Sequence, residues 1–556
     1  MFAVNEETVN QKYSTDSTGP VVSGPNESKR PFVFLPALIS MALLWLSFPP
    51  VGLAPLGWFA LVPLIWVTLQ ERHFSRVDYR KLWAAGLGYW LATFYFIPIP
   101  HPALWLGWIV ISLYLACYLP LFVFSVRSMH ANFRIPNLFA VPICWTAMEL
   151  IRSYLLTGMG LVCLSHTQFR FPVWIQISDL FGAYTLTFVM VMAGTGMVRL
   201  LRIREGKPAA AVVNFAIASC FVGATYMYGH HRLEEQVESS ERSIKVGLIQ
   251  GSIDTVFPAT VEEARAYRQQ IADHYEQLSI EALKRWNEVN LIVWPENGWQ
   301  YPDLHPDTDK SRILEVDLRL YEDSPQIAWS HLMQSGKPIP PMLVGAVTGD
   351  PIRREQYGSV LHLDESGLVQ NRYYKNHLVM FGEYVPLANI FPLLQRIPAI
   401  GKGLQAGDQP LVIDVNGVRV APNICFETTV PHYICKQVNK LASNNLEPDV
   451  LVNVTNDGWF HGTSCLDFHL ACNVFRAVEM RKPNLVCANT GISAHIDRFG
   501  RIQQEVERRK TGKILATVSA VEMDSHYRHI KDWVVIAFAA LALLATVVGM
   551  FRRPAE

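Results

Sequence analysis

Three residues in the second half of the chain carry side chains suited to acyl chemistry. Cys425 lies in APNICFE, Glu296 in LIVWPEN and Lys375 in YYKNHLVMFGEY. A thiolate attacks an ester or amide carbonyl to give a covalent thioester. A nearby cation lowers a thiol pKa, and a carboxylate accepts its proton. An ammonium also stabilises a tetrahedral oxyanion. Each residue alone has a plainer explanation: a free Cys is among the most buried residue types, and a lone Glu or Lys is usually solvated surface. The three are far apart in the chain, so spacing does not bring them together.

The elements that must position them are readable from residue 243 onward. IKVGLIQG, LIVWPEN, PMLVGAVTG, GSVLHLD, VRVAPNICFE and DVLVNVTND are short β-branched apolar runs ending in Gly, Pro, Asn or Asp, the pattern of strands. Amphipathic stretches at 261–286 and 468–480 lie between some of them. Strands alternating with helices predict an α/β domain. Glu296 and Cys425 then fall at strand ends, where α/β sheets present functional groups.

The first half reads differently. Apolar runs predict membrane spans near 33–48, 52–69, 82–98, 104–126, 137–156, 173–198 and 211–228, with one more near 533–550. Several approach the ~20 residues needed to cross a bilayer. Lys and Arg recur in alternate loops: Arg72, Arg76, Arg80 and Lys81, then Arg127 and Arg134, then Arg199, Arg202, Arg204 and Lys207. Lys29, Arg30, Arg552 and Arg553 flank the set, and Arg170 is the exception. The positive-inside rule places those loops and both termini in the cytoplasm, and residues 230–530 on the opposite side. Glu149 and Arg152, at i and i+3 near the end of the fifth span, share a helix face. Ionisable groups there usually face a bundle interior or a wet cavity.

Composition agrees with a membrane protein carrying a sizeable soluble part. Of 556 residues, 50% are hydrophobic and 17% charged, against about 25% charged in soluble domains. Lys plus Arg and Asp plus Glu each number 48, so no charge excess favours nucleic acid. Nine cysteines without a CxxC spacing offer no zinc site, and the odd number leaves a thiol unpaired. Residues 1–30 are polar and read as a disordered tail, with no small-residue cleavage site after the first apolar run.

Ordered motifs run through nearly the whole chain after residue 31: TAMELIRSYLLTGMG (146–160), VGLIQGSI (246–253), WPEN (294–297), YYKNHLVMFGEYVPL (373–387), ICFE (424–427), NVTNDGWF (453–460), FRAVEMRKPN (475–484) and ANTGISAHID (488–497). They resemble the nitrilase superfamily. With spans before and after that domain, the chain resembles the bacterial apolipoprotein N-acyltransferases. The resemblance implies a multi-span α-helical membrane domain (31–230), an αββα sandwich (243–525) outside the cytoplasm and a C-terminal span (531–551). It implies Cys425 as nucleophile, Glu296 as general base and Lys375 as transition-state stabiliser, supported by Glu383 and Glu427. The implied donor is a membrane phospholipid and the acceptor a diacylglyceryl-cysteine lipoprotein. The site would face the periplasm at the inner membrane, with no metal or organic cofactor. The apolar segment 388–404 offers a path for acyl chains, and an oxidising compartment permits disulfides among Cys435, Cys465, Cys472 and Cys487.

Met380, Phe426 and Cys487 stand where the family usually has Pro, Tyr and Arg, and several such departures fall in segments expected to line the acceptor path. Three rival readings remain on the residues: a membrane-tethered amidase using water, an acyltransferase to a different amine, and a scaffold of the same fold.

Overall fold

A computed structural model describes residues 32–102, 104–205, 208–235, 242–256, 258–313, 326–384 and 403–551. The polar tail at 1–30, Phe257, Lys207, Arg552, Arg553 and positions 388–402 of the apolar segment lie outside them.

The first half is helical: α1 (Phe34–Ser47), α2 (Val62–Thr68), α3 (Arg76–Thr93), α4 (Leu104–Ala116), α5 (Tyr118–Phe133), α6 (Asn137–Tyr154), the short α7 (Pro172–Ile175) and α8 (Ser178–Phe181), then α9 (Ala183–Leu201) and α10 (Pro208–Glu234). Four helical stretches among the described residues are long and apolar enough to cross a membrane: Leu104–Phe133, α9, α10 and the final helix Trp533–Phe551. Phe34–Ser47 and Ala54–Thr68 are shorter apolar helices.

One expected span is displaced. The run at 173–198 does not form a single helix; its first residues fold as α7 and α8, and the long helix starts at Ala183. Gln176 and Asp179 in that stretch bind Arg481 of the α/β half. Gly182, at φ +75°, makes the break. A Cβ there would sit 3.0 Å from the Tyr527 ring.

The second half holds two sheets. One runs β13 (Gly512–Ser519), β1 (Ser243–Gln250), β2 (Leu291–Trp294), β4 (Met342–Asp350), β5 (Glu355–Leu363), β6 (Val369–Tyr374), with β3 (Asp303–Leu304) beside β4. The other runs β12 (Ile502–Val506), β11 (Ser493–Ile496), β10 (Asn484–Ala488), β9 (Val450–Thr455), β8 (Val418–Ile424), β7 (Ile413–Val415). Side chains alternate between faces, as the two-residue strand period requires. Leu291, Val293, Val420, Ile424, Val452 and Val454 fill the space between the sheets. Ile292 and Trp294 instead face α11 (Val261–Arg285), while Ala421 and Leu451 face α12 (Pro431–Ala442). The result is a helix–sheet–sheet–helix sandwich.

The stretch expected to be amphipathic at 468–480 behaves otherwise. Every residue of α13 (Cys465–Met480) is buried. One side covers the β8–β10 sheet, and the other packs into the helical bundle beside Phe48, Phe96 and Leu164. A helix buried on all sides loses its polar stripe to specific partners. Arg476 pairs with Glu479 at 2.7 Å, and Glu479 accepts the Ala183 N–H at 2.8 Å, holding the start of α9. Just past α13, the guanidinium of the wholly buried Arg481 binds Asp179 and donates to Gln176 Oε1 at 2.6 Å. Asp179 also receives Arg232 at 3.0 Å and the Tyr228 hydroxyl at 2.6 Å, so the end of α10 joins the same cluster. After α14 (His526–Ile530), Asp532 accepts from Tyr154 at 2.6 Å and Tyr527 at 2.9 Å, and α15 (Trp533–Phe551) returns to the bundle.

Asp179→Ala strips the buried Arg481 of its counter-charge, while Arg232 keeps Glu235 at 2.6 Å, and breaking a buried pair costs about 3–5 kcal/mol. A fall of several degrees in the melting temperature in detergent is expected. An unchanged melt would show that this cluster does not hold the halves together.

Candidate active site

Cys425 is the first residue after β8, at the start of a tight turn to Thr429. Its φ is +50°, a left-handed conformation that costs a non-glycine residue about 1–2 kcal/mol. Surrounding hydrogen bonds hold it there. The Cys425 carbonyl accepts from Asn453 Nδ2 at 3.2 Å and from His469 Nε2 at 2.9 Å.

Glu427 fixes the same turn from below. Its Oε2 accepts the Ile424 N–H and the Tyr373 hydroxyl, both at 2.7 Å. Its Oε1 accepts the N–H groups of Asn376 and His377 at 2.7 and 3.0 Å. One buried carboxylate thus ties the Cys425 turn to the segment that carries Lys375. Burial pushes the Glu427 carboxyl up, against these hydrogen bonds, which favour its ionised form.

Lys375 follows β6 and is wholly buried. Its ammonium donates to Glu383 Oε1 at 2.5 Å and to Glu296 Oε1 at 3.4 Å. Glu383 turns its other oxygen to the Val379 N–H at 2.8 Å, and Glu296 Oε2 accepts the Asn456 N–H at 3.0 Å. The five residues named from the sequence therefore form one cluster, and both Glu296 and Lys375 act electrostatically on the Cys425 thiol.

The charges are interdependent. Burial works against the Lys375 ammonium, but Glu296 and Glu383 outweigh it and hold the pKa well above that of a free lysine. Burial pushes Glu296 up while Lys375 pulls it down, and the upward push prevails. Cys425 keeps a partly exposed surface, yet desolvation, reinforced by Glu296, raises its thiol well above the ordinary range against the pull of Lys375. The resting thiol is protonated, with a carboxylate poised to receive the proton and a fixed ammonium for a developing oxyanion. Among the described residues no group of His, Cys, Asp and Glu has metal-site geometry.

Other expectations change on inspection. Cys487 does not line an acceptor path: it is wholly buried between the sheets, its thiol donating to the Val293 carbonyl at 3.2 Å. All nine cysteines are free, so no disulfide joins Cys435, Cys465, Cys472 and Cys487. Glu149 and Arg152 are buried but serve separate partners. Arg152 donates to the carbonyls of Leu161 and Val162, and Glu149 accepts from Leu164 N, Trp145 Nε1 and Thr187 Oγ1. Together they hold segment 161–164. Phe426 stacks near His377, ring centres 6.0 Å apart.

Residues not singled out from sequence complete the site: Asn453, Asn456, Asp457 and His469. Asn453 carried a signal, being a polar residue in the middle of the otherwise apolar strand VLVNVT, where burial demands a partner.

Gly345 on β4 backs Glu296 closely. A Cβ there would lie 2.4 Å from Glu296 Cα and 2.7 Å from its N. Gly345→Ala is expected to displace Glu296 and slow single-turnover reaction at Cys425 by roughly tenfold or more, about 1.4 kcal/mol. An unchanged rate would remove Glu296 from the reacting constellation.

Comparison with known proteins agrees with this geometry. Residues 40–196 match the Apolipoprotein N-acyltransferase N-terminal domain, and residues 245–528 match the Carbon-nitrogen hydrolase domain. The apolipoprotein N-acyltransferase of Rhodopirellula baltica is 30% identical over 91% of this chain and 95% of its own length. That of Geobacter metallireducens is 31% identical over 94% and 95% respectively. A likeness of this extent, across both halves, means that the chain belongs to the apolipoprotein N-acyltransferase family.

Proposed function

We propose that this acyltransferase moves an acyl chain from a membrane phospholipid, through a Cys425 thioester, to the α-amine of diacylglyceryl-cysteine at a lipoprotein N-terminus. The carrying observation is the buried Lys375 ammonium held between Glu296 and Glu383 next to the Cys425 turn, in a chain whose other half is a bundle of apolar helices.

In the first half-reaction Glu296 takes the thiol proton and the sulfur attacks the ester carbonyl. Lys375 faces the oxyanion; collapse of the tetrahedral intermediate expels the lysophospholipid alkoxide, which receives the proton from Glu296. In the second, the amine attacks the thioester, Glu296 accepts the amine proton, and the thiol is regenerated as the amide forms. Glu383 keeps Lys375 in place, and Glu427 keeps the Lys375 segment and the Cys425 turn in register. The ester bond supplies the energy.

Residues 31–230 and 531–551 form the membrane domain and 243–525 the catalytic domain, set on the periplasmic face of the inner membrane. Two observations favour this orientation. The start of α9 and the end of α10 meet the catalytic half at Glu479 and Asp179. The Arg-rich end of α9, with Arg199 and Arg202, is therefore a helix length away, ~27 Å for 19 residues, where the positive-inside rule expects the cytoplasm.

The test supplies purified protein in detergent with a fluorescent phospholipid and a diacylated lipopeptide. Covalent label is expected on the wild type and not on Cys425→Ala, followed by transfer to the peptide amine. Label without transfer would point to another acceptor, and no thioester at Cys425 would refute the mechanism.

A further inference from the structure

His469 on α13 lies beneath the nucleophile with both ring nitrogens engaged. Nε2 is 2.9 Å from the Cys425 carbonyl oxygen, and Nδ1 is 3.4 Å from Asp457 Oδ1. Both partners are acceptors: a carbonyl oxygen has no proton to give, and an ionised carboxylate has none either. A neutral imidazole offers only one N–H, so this arrangement asks for the doubly protonated ring. The His469 and Asp457 side chains are 8% and 7% exposed, which keeps their interaction unscreened. Asp457 is itself held by the Thr455 hydroxyl at 3.2 Å.

The groups facing the ring come from three elements: the carboxylate of Asp457 from the turn after β9, that of Glu296 from the loop after β2, and the backbone carbonyl of Cys425 at the end of β8. On its own helix Cys465 stands one turn earlier, under the influence of both Asp457 and Cys425. Burial disfavours the imidazolium, but Asp457, the Cys425 carbonyl and Glu296 together raise the His469 pKa above its ordinary value. The chemistry assigned to Glu296, Lys375 and Cys425 leaves this charged group without a role.

We propose that His469, oriented by Asp457, is a positioning residue that sets the reactivity of Cys425: its imidazolium clamps the carbonyl of the left-handed Cys425 turn and places a second positive charge beneath the nucleophile. The inference rests on Cys425 being the nucleophile. Lys375 acts on the thiol through space, whereas His469 acts through the peptide group of Cys425 itself. Asn453, which donates to the same carbonyl, supplies a neutral hydrogen bond and no charge.

The experiment follows the rate of Cys425 alkylation by iodoacetamide against pH in the full-length detergent-solubilised protein, reading the Cys425 peptide by mass spectrometry. His469→Gln keeps a donor toward the carbonyl but cannot be charged, and His469→Asn is likewise neutral. Both are expected to move the midpoint of Cys425 reactivity up by about one pH unit, roughly tenfold slower alkylation at neutral pH. Asp457→Asn is no substitute, because the Asp457 carboxylate itself raises the Cys425 thiol and its removal acts in the opposite direction. Melting temperature serves as the fold check, and His469→Asn stands in if His469→Gln is unstable. Unchanged midpoints in folded variants would overturn the proposal, since a purely structural side chain moves stability and not the midpoint. Alkylation reads the thiol directly, so failure of wild-type Cys425 to form an acyl thioester would strike the proposed function separately from this inference.

Discussion

The contact on which the molecule depends is the buried cluster around Asp179. Arg481 and Asp179 are both removed from water, and each such charge costs several kcal/mol to bury unless its partners are in place. The partners come from two directions: Arg481 after α13, and Arg232 with Tyr228 one turn before it near the end of α10. The cluster is satisfied only when the α/β sandwich sits on the helical bundle in one arrangement. Glu479, holding the first N–H of α9, and Asp532, holding Tyr154 and Tyr527, repeat the same device. Apolar packing along α13 supplies area, while these directional contacts supply the register.

α13 is also what joins that interface to the chemistry. Its buried helix carries His469 toward Cys425 and ends at Arg481 against Asp179. Above it, charges are arranged so that the resting site is quiet. Two carboxylates hold one ammonium, which keeps Lys375 charged and leaves the thiol protonated. Glu427, two residues past Cys425, acts on Lys375 only through space. Its oxygens are occupied by three backbone N–H groups and a tyrosine hydroxyl. It acts as a staple between β6 and β8.

Much of this was legible in the residues, for identifiable reasons. Glu296 and Cys425 could be placed at strand ends because the runs before them keep a strand's composition and stop at turn-forming residues. Lys375 could not be joined to them without the family's motifs, since sheet-to-sheet contacts leave no spacing signal. The start of the span expected at 173–198 is apolar apart from Gln176, Ser178 and Asp179, and Gln176 and Asp179 are the residues that bind Arg481. Glu149 and Arg152 do share a helix face, but both reach backbone groups of segment 161–164, which no side-chain pattern reveals, and Glu149 also takes Trp145 and Thr187. His469 stayed hidden because α13 has no exposed face against which a buried polar residue would stand out.

The rigid seating of α13 has a consequence for selection. The bundle floats in lipid at a depth set by its apolar girth, and the sandwich cannot tilt or lift without emptying the Asp179 cluster. Cys425 is therefore carried at one altitude relative to the bundle. In the proposed reaction the donor bond and the acceptor amine have to be presented at that altitude to meet it. Such a seating discriminates by the level at which a bond is anchored, as a gauge does, before any pocket has read the rest of the molecule.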